Sequence, residues 1–225
     1  MAEQLLTDTT TLRRSPLAHL AQQMHEQTVT GERGVALREI PFLTMVGLRV
    51  VPGTPAAEAV TATAGLPLPG GHGRVTGAPD GTALLWIGPD EFLLVGSEGA
   101  GPAEIGPAGS DLRAAGTDDA GTAAGLARAL GTQPGQAVDL SANRTTLELS
   151  GPSARAVLEK SCHLDLHPRA FAVGTAVATT LGPVQVLLWR TAELTWRIMP
   201  RASFAEYTAR WLLDAMTEFA SPEVP

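Results

Sequence analysis

The chain has 225 residues, of which 44% are hydrophobic, so it can form one large or two small globular domains with buried cores. No apolar run approaches the roughly 18 to 20 residues of a membrane span. The formal net charge is −7 at pH 7 and the basic residues are not clustered, which disfavours a nucleic-acid partner. The amino-terminal segment lacks the features of a secretory signal, and one cysteine cannot form an internal disulfide. Both observations favour a cytoplasmic protein.

Residues 1–40 are expected to form an N-terminal arm, and residues 41–96 the first of two subdomains. The segment FLTMVGLRVV predicts a strand because alternate residues share one apolar face. These residues are Phe42, Thr44, Val46, Leu48 and Val50. ALLWI and EFLLVG then predict a hairpin across Gly88-Pro89-Asp90, in which the proline fixes φ and the glycine frees it.

A low-complexity bridge, residues 97–122, follows the first subdomain. From Ser97 to Asp119 it consists mainly of Gly, Ala, Pro, Ser and Asp, which bury too little apolar surface to offset the entropy of ordering. We therefore expect a flexible loop. A helical pattern resumes from Ala123 to Leu130 and is expected to end at Gly131. Residues 123–225 are predicted to form the second subdomain.

The second subdomain contains a strand, a tight turn and a helix in close succession. Leu147 and Leu149 alternate with polar residues, Gly151 turns the chain, and Pro152 suits the first helical position. Four residues then share the apolar face of the predicted helix: Ala154, Val157, Leu158 and Cys162. The polar sequence Cys-His-Leu-Asp-Leu-His-Pro ends this helix and predicts a loop.

A final hairpin and helix complete the chain. VQVLLW and LTWRIM predict two strands joined across Arg190 to Glu193, with Leu194, Trp196 and Ile198 alternating as in a strand. Leu84-Leu85-Trp86 matches Leu187-Leu188-Trp189, and Glu91-Phe92 matches Glu193-Leu194, which suggests an internal duplication.

The last helix is predicted to begin with a capping box and to carry a continuous apolar face. Ser203 and Glu206 have the spacing of the capping box. The face comprises Phe204, Tyr207, Trp211, Leu212, Ala215, Met216 and Phe219. Such a face is expected to pack on a sheet or on another chain.

One group of polar residues has the types that bind metals: Cys162, His163, Asp165 and His167. A structural role is favoured, because Pro168 disfavours helical geometry at His167 and Cys162 fits the apolar helix face. A Cys–His nucleophile pair is also disfavoured, since adjacent side chains rarely point together and no third group is implied to orient them.

Gly70-Gly71-His72-Gly73-Arg74 could approach a phosphate through its backbone N–H groups. No strand leads into this segment, no helix leaves it, and the G-x-G-x-x-G spacing is missing, so a turn is favoured. The chain has no dinucleotide-binding fingerprint. The sequence therefore predicts no catalytic, cofactor-binding or metal-binding residue.

Two segments carry a family resemblance. The run R-x-T-L-E-L-S-G-P-x-A-R-x-V-L-x-x-x-C-x-L-D-L-H-P-R-A-F-x-x-G, from Arg144 to Gly174, resembles the gamma subunit family of heterotetrameric sarcosine oxidase. VLLWRTAELTWRIMPRASFAEYTARWLLDA resembles that family's final hairpin and helix. The chain is more distantly similar to the folate-binding domains of glycine-cleavage aminomethyltransferases. The resemblance is specific over residues 137–220, weaker over 41–96, and absent over 1–40 and 97–136.

The resemblance implies an α+β fold like that of the aminomethyltransferase folate-binding domain, with two similar subdomains of antiparallel sheet and packed helices. In those domains an acidic residue in the first hairpin serves transfer chemistry, and a Gly-Glu-Leu-Gly turn in the last hairpin helps hold the pterin. Here Glu193 remains but the flanking positions are Ala192 and Thr195, and Thr82 to Leu85 offers no carboxylate. The resemblance thus implies a folate-domain scaffold that has lost its site.

The resemblance also implies the role of a non-catalytic gamma subunit beside alpha, beta and delta subunits. Such an assembly oxidatively demethylates sarcosine to glycine, with hydrogen peroxide and either formaldehyde or methylene-tetrahydrofolate, and so links sarcosine catabolism to one-carbon metabolism. FAD, FMN, NAD and tetrahydrofolate are expected in the complete assembly and none on this chain. Two alternatives remain: a stand-alone folate-binding or one-carbon-transfer protein, and a scaffold or interaction module of another assembly.

Overall fold

The computed structural model describes residues 14–98 and 122–221. The first described part contains α1 Ala21–Glu26, β1 Ala36–Ile40, β2 Met45–Arg49, α2 Pro55–Ala64, β3 Val75–Gly77, β4 Ala83–Gly88 and β5 Glu91–Val95. The second contains α3 Thr122–Leu130, β6 Gln136–Asp139, β7 Thr146–Ser150, α4 Ala154–Glu159, β8 Ala176–Leu181, β9 Val184–Ala192, β10 Thr195–Pro200 and α5 Ala205–Ala220. Short 3-10 turns at Ala18–Leu20 and Ala202–Phe204 precede α1 and α5.

The strands form two five-stranded antiparallel sheets, in the orders β3-β4-β5-β2-β6 and β8-β9-β10-β7-β1. The predicted hairpins are β4–β5 and β9–β10, and the predicted helix before Gly131 is α3. The α+β class with two similar antiparallel sheets is therefore confirmed. No helix in the described part of the chain is long and apolar enough to cross a membrane.

The two sheets repeat one topology with exchanged outer strands. Each repeat runs helix, strand, strand, helix and three further strands, first as α1-β1-β2-α2-β3-β4-β5 and then as α3-β6-β7-α4-β8-β9-β10. The first strand of each repeat pairs in the other sheet, because β1 pairs with β7 and β6 pairs with β2. The internal duplication is thus visible in the topology, and the exchange ties the repeats together.

This exchange places the sheet boundaries away from the segment boundaries expected from sequence. Part of segment 1–40 forms β1 of the second sheet, and the start of segment 123–225 forms α3 and β6 on the first. Residues 99–121 of the expected bridge, most of it, lie outside the described residues. Local patterns cannot reveal such an exchange, since strand pairing depends on partners distant in sequence.

The residue correspondence expected between the two hairpins is wrong by at least one residue. Trp86 pairs with Phe92, and Arg190 pairs with Trp196 at the same point of the second hairpin. Each hairpin has a register irregularity next to this pair, so Leu84-Leu85-Trp86 corresponds to Leu188-Trp189-Arg190. The burial pattern agrees, because a slip of one residue would move each side chain to the opposite face of the sheet.

The core has three apolar layers. Helices α2 and α3 cover the outer face of the first sheet, where Val60, Leu94 and Leu126 are fully buried. Helices α1, α4 and α5 cover the outer face of the second sheet around Trp196. The inner faces of the sheets pack against each other through Met45, Leu85, Leu93, Leu187, Trp189 and Met199. This packing produces helix, sheet, sheet and helix layers.

Two expectations about apolar faces are wrong in part. The β2 strand begins at Met45, and Phe42 lies before it with a φ of 60° and 42% exposure, so Phe42 does not share the buried face. Leu194 lies in the β9–β10 turn and is 47% exposed, whereas Trp196 and Ile198 are buried as expected. Both misplaced residues lie where the strand ends and the alternation of side chains stops.

The predicted capping box at α5 is also wrong. Phe204 holds the N-cap position and no side chain caps the helix. The Glu206 carboxylate instead pairs with Arg210 at 2.9 Å and with His19 at 3.2 Å. Of the predicted apolar face, Leu212, Ala215 and Met216 are buried, Phe219 is partly buried, and Phe204, Tyr207 and Trp211 are 49%, 45% and 39% exposed. The helix thus begins one residue later than the box requires, after a 3-10 turn that includes Ser203.

Candidate functional site

The candidate metal group does not converge on one point: Cys162 is buried, whereas His163 and His167 are exposed. Cys162 is 8% exposed and belongs to the apolar core of the second sheet, and its backbone bridges to Leu181 of β8. His163, beside it, is exposed. No group of three or more His, Cys, Asp or Glu in the described residues could hold a metal ion. Cys162 therefore acts as a small buried apolar residue at the end of α4.

Asp165 and His167 bond to the backbone of their own loop. The Asp165 Oδ1 accepts from the His167 N–H at 2.9 Å, and the His167 Nδ1 accepts from the Arg169 N–H at 3.2 Å. Both contacts join residues two apart, the pattern of Asx-type turns. These two polar side chains therefore shape the turn that leads to buried Phe171.

The glycine-rich segment before β3 forms a turn with an engaged backbone. Gly73 has a φ of 75°, which favours glycine, and its carbonyl accepts from the Ala176 N–H at 3.2 Å. The Arg74 N–H donates to the Gly71 carbonyl, and the Arg74 carbonyl accepts from the Trp86 N–H at 3.1 Å. The segment leads into a three-residue strand and not into a helix, so it lacks the geometry of a phosphate-binding turn.

The two candidate segments nevertheless meet around one groove of about 430 Å³. His72 and Arg74 line one side, while Asp165, Phe171 and Thr175 line the other. This contact follows from the duplication, because each segment precedes the third strand of its repeat. The groove combines one carboxylate with one guanidinium and one imidazole, a mixed set that defines no particular ligand.

Arg190 is a buried cation within β9, at the position where the sequence predicts the start of the turn from Arg190 to Glu193. It is 5% exposed, and its Nη1 and Nη2 each donate at 2.7 Å, to the carbonyls of Phe171 and Glu193 respectively. Its guanidinium also lies 5.3 Å from the centre of the Trp196 ring. Arg190 therefore fixes the β9–β10 turn against the loop that contains His167. The only sequence signal was an arginine that continues an otherwise apolar strand.

The turn that carries Glu193 does not fit a folate. Glu193 and Leu194 form an exposed two-residue turn, and Arg190 already occupies the Glu193 carbonyl. The Leu194 carbonyl accepts from the Gly151 N–H at 2.9 Å, which fixes the other half of the turn. The backbone carbonyls of this turn are thus engaged within the chain, and the flanking Ala192 and Thr195 add Cβ atoms. Residues 82–85 of the first hairpin, where the resemblance implies an acidic residue, offer no carboxylate.

A row of charged residues crosses the inner face of the second sheet. Arg38 of β1, Glu148 of β7 and Arg197 of β10 are direct cross-strand neighbours. Arg38 also pairs with Glu98, which follows β5 of the first sheet, at 2.6 Å. Arg197 is 5% exposed, with Glu148 3.6 Å away, and burial lowers its pKa despite that carboxylate. The row joins the two sheets electrostatically. Its only signal in the sequence was that these charged residues alternate with apolar residues along their strands.

These features define a class: a folate-binding-domain-like α+β scaffold whose last hairpin turn is engaged by its own residues. A structural comparison supports the fold. The glycine cleavage system aminomethyltransferase T from Bartonella henselae aligns with 90% of this chain and 57% of its own, at a TM-score of 0.57 and 19% identity.

Closer relatives determine the family. The model of the sarcosine oxidase gamma subunit family matches residues 51–218. The sarcosine oxidase gamma subunits of Corynebacterium sp. (strain U-96) and of an Arthrobacter species are each 51% identical over 224 residues, covering 100% of both chains. A chain of the heterotetrameric sarcosine oxidase from Corynebacterium sp. U-96, solved in complex with pyrrole 2-carboxylate, aligns at a TM-score of 0.84 and 50% identity, covering 95% of this chain and 100% of that chain. The chain belongs to the sarcosine oxidase gamma subunit family.

The similarity extends further than the sequence motifs suggested. Residues 97–136 lie inside the matched family region, and the curated relatives align over the whole chain, including residues 1–40. The expected lack of resemblance in these two segments is therefore wrong. Motif reasoning missed them because they contain few of the Trp, Cys, His and Pro residues that make a short match specific.

Proposed function

We propose that this chain is the non-catalytic gamma subunit of a heterotetrameric sarcosine oxidase, assembled with alpha, beta and delta subunits. The observation that carries the proposal is the 51% identity to gamma subunits over the full length of both chains. Identity of this level over a whole chain supports a shared assembly as well as a shared fold.

The proposed assembly oxidises sarcosine with molecular oxygen and water to glycine, formaldehyde and hydrogen peroxide. When tetrahydrofolate accepts the one-carbon unit, methylene-tetrahydrofolate replaces formaldehyde. FAD, FMN, NAD and tetrahydrofolate are proposed to bind to the other subunits. The sequence supports this division, because it contains no glycine-rich strand-to-helix turn for a pyrophosphate.

The contribution proposed for this chain is positional. Its two sheets are joined by exchanged outer strands and share an apolar core between their inner faces, so partners would pack against one two-sheet unit. The exposed aromatic residues Phe204, Tyr207 and Trp211 offer side chains of the kind enriched in interfaces. A cytoplasmic location is part of the proposal.

Co-expression of the alpha, beta and delta subunits with and without this chain tests the proposal. We expect the chain to co-purify in the complex, and sarcosine-dependent hydrogen peroxide production to fall when it is omitted. The chain purified alone should be colourless and should not oxidise sarcosine. A complete, fully active complex that excludes this chain would contradict the proposal, as would a flavin spectrum from the isolated chain.

A further inference from the structure

A cavity of about 320 Å³ opens beside β6, between the inner faces of the two sheets. Its wall is mainly apolar and includes Ile87, Leu93, Val138, Leu140 and Leu187. Gly47 of β2 also lines it, and a Cβ there would lie 2.7 Å from the Leu140 Cδ1. The glycine therefore allows Leu140 to lie against the sheet. The volume is at the lower end of the range for small-molecule sites.

Two arginines line this cavity, and they differ in their partners. Arg49 pairs with Asp90 at 3.0 Å and with Glu91 at 3.4 Å, so its charge is compensated. Arg144 donates from its Nη1 to the Met199 carbonyl at 2.9 Å. Among the residues that the structure describes, no carboxylate forms an ion pair with Arg144. The cavity thus has one compensated cation at its rim and one uncompensated cation in its wall.

Desolvation makes the charge of Arg144 costly without an anion. Burial, and secondarily repulsion from Arg201, lower the pKa of Arg144. A cation that is partly removed from water and lacks a counter-charge gains most from an anion that replaces its lost hydration. A carboxylate suits it best, because a guanidinium presents paired donors that match two carboxylate oxygens.

The backbone holds Arg144 in place. It forms an antiparallel bridge with Arg201, and the neighbouring Asn143 carbonyl accepts from the Ala202 N–H at 2.8 Å. On the other side the Thr145 N–H donates to the Pro200 carbonyl at 3.3 Å. The chain around Arg144 is therefore fixed to the end of β10. A site of this kind loses little conformational entropy when a ligand binds.

We propose that this cavity binds a small amphipathic carboxylate, with the carboxylate on Arg144 and an aliphatic body against Leu140 and Leu187. The apolar wall excludes inorganic anions as the best ligands, since they would leave it uncovered. Neutral hydrocarbons are also excluded as the best ligands, since they would leave the Arg144 guanidinium without a counter-charge. This site is separate from the proposed subunit role and does not depend on it.

Calorimetric titration of the full chain with 4-methylpentanoate tests the site. We expect saturable binding of 4-methylpentanoate. Acetate, which lacks the aliphatic body, and 4-methylpentanamide, which lacks the charge, should each bind at least about tenfold more weakly. Arg144→Gln should weaken binding of 4-methylpentanoate at least about tenfold, because a charge-assisted hydrogen bond is lost. Arg128→Gln removes the same charge from an exposed position on α3 and should leave binding unchanged.

A second variant keeps the test decisive if Arg144→Gln does not fold. Val138→Trp enlarges a wall residue that is 40% exposed, so it should fold and should block the cavity. Undiminished binding of 4-methylpentanoate to folded Arg144→Gln or to folded Val138→Trp would overturn the proposal, as would equal binding of acetate or the amide. The absence of binding to the folded wild-type chain would also overturn it. The cavity should also bind 4-methylpentanoate in the purified complex. Loss of binding there, because a partner covers the cavity, would overturn the proposal.

Discussion

The two hairpins have the same topology and the same register irregularity, yet their equivalent residues have different chemistry. In the first, Trp86 contacts His72 of the preceding loop edge to face, with ring centres 5.6 Å apart. In the second, Arg190 takes the Trp86 position and donates to the carbonyls of Phe171 and Glu193. Both side chains join a hairpin to the loop before the third strand of its repeat.

This difference shows that the duplication has preserved backbone pairing and not side-chain function. The first hairpin contacts its preceding loop through an aromatic pair, and its turn is held separately by Val50 and Arg49, which donate to Asp90. In the second hairpin one buried cation, Arg190, makes both connections. A turn fixed in this way cannot close on a ligand without losing the Arg190 hydrogen bonds. Arg190 thus both stabilises the second hairpin and engages the turn that the family resemblance associates with pterin binding.

The largest expected effect comes from Arg190. Arg190→Met should lower the free energy of unfolding by about 4 kcal/mol, because two charge-assisted hydrogen bonds are lost and the buried Phe171 carbonyl stays unpaired. The matched variant Trp86→Leu, at the equivalent position, should cost about 1 kcal/mol, since Trp86 is only partly buried. Urea denaturation measures both. Equal costs for the two variants would mean that the hairpins are attached in the same way.

The glycines that follow the second strand of each repeat, β2 and β7, differ in how closely other atoms surround them. Gly151 has a φ of 119°, and a Cβ there would lie 2.5 Å from the Gly34 carbonyl oxygen, whereas a Cβ at Gly53, with a φ of 79°, meets no atom within 4 Å. Gly151→Ala should therefore cost about 3 kcal/mol and Gly53→Ala about 1 kcal/mol. Thermal unfolding of both variants measures the difference. A cost at Gly53 as large as that at Gly151 would show that strain, and not crowding, dominates.

Helices α2 and α4 also begin differently. The Thr54 Oγ1 accepts from the Ala57 N–H at 3.4 Å and caps α2, while Ser153 makes no capping hydrogen bond at α4. Thr54→Ala should cost about 1 kcal/mol, and Ser153→Ala and Ser203→Ala less than about half of that. Urea denaturation of the three variants measures the ranking. A loss of stability in Ser203→Ala as large as that in Thr54→Ala would contradict this account and indicate that Ser203 caps α5.

The smallest effect concerns the ion pair between the sheets. Arg38 holds the pKa of Glu98 below its ordinary value, chiefly through their hydrogen bond. A carboxylate with a depressed folded pKa stabilises the protein fully above its unfolded pKa, and this contribution is lost as the pH falls through the folded pKa. Glu98→Gln should cost a few tenths of a kcal/mol at neutral pH and nothing at strongly acidic pH. A cost that does not change with pH would indicate packing.

The sequence predicted the elements whose signals are local. The two hairpins, the apolar face of α4 and the end of α3 at Gly131 were all predicted, because alternation, helical spacing and a left-handed glycine are properties of neighbouring residues. The resemblance added the fold, and the comparisons confirmed it. The exchange of β1 and β6 was not predicted, since pairing between distant strands leaves no local pattern.

The sequence identified the candidate segments, but the contacts of their side chains depend on the fold. The choice of a structural role for Asp165 and His167 agrees with their bonds to the loop backbone. Arg190 and Arg144 were missed because an arginine in a strand or a loop is usually solvated, and burial of its charge depends on carbonyls supplied by distant segments. Glu193 was found only through the family resemblance, and the structure explains its position by the Arg190 contact.

Titration of the isolated chain with tetrahydrofolate by calorimetry tests the central claim most directly, since the claim is a scaffold without a working folate site. The account predicts no binding heat for the wild type or for Glu193→Ala. It also predicts that folate bound by the complete assembly is unaffected by Glu193→Ala. Saturable binding to the isolated chain that disappears in Glu193→Ala would contradict the account and would support a folate-binding protein instead.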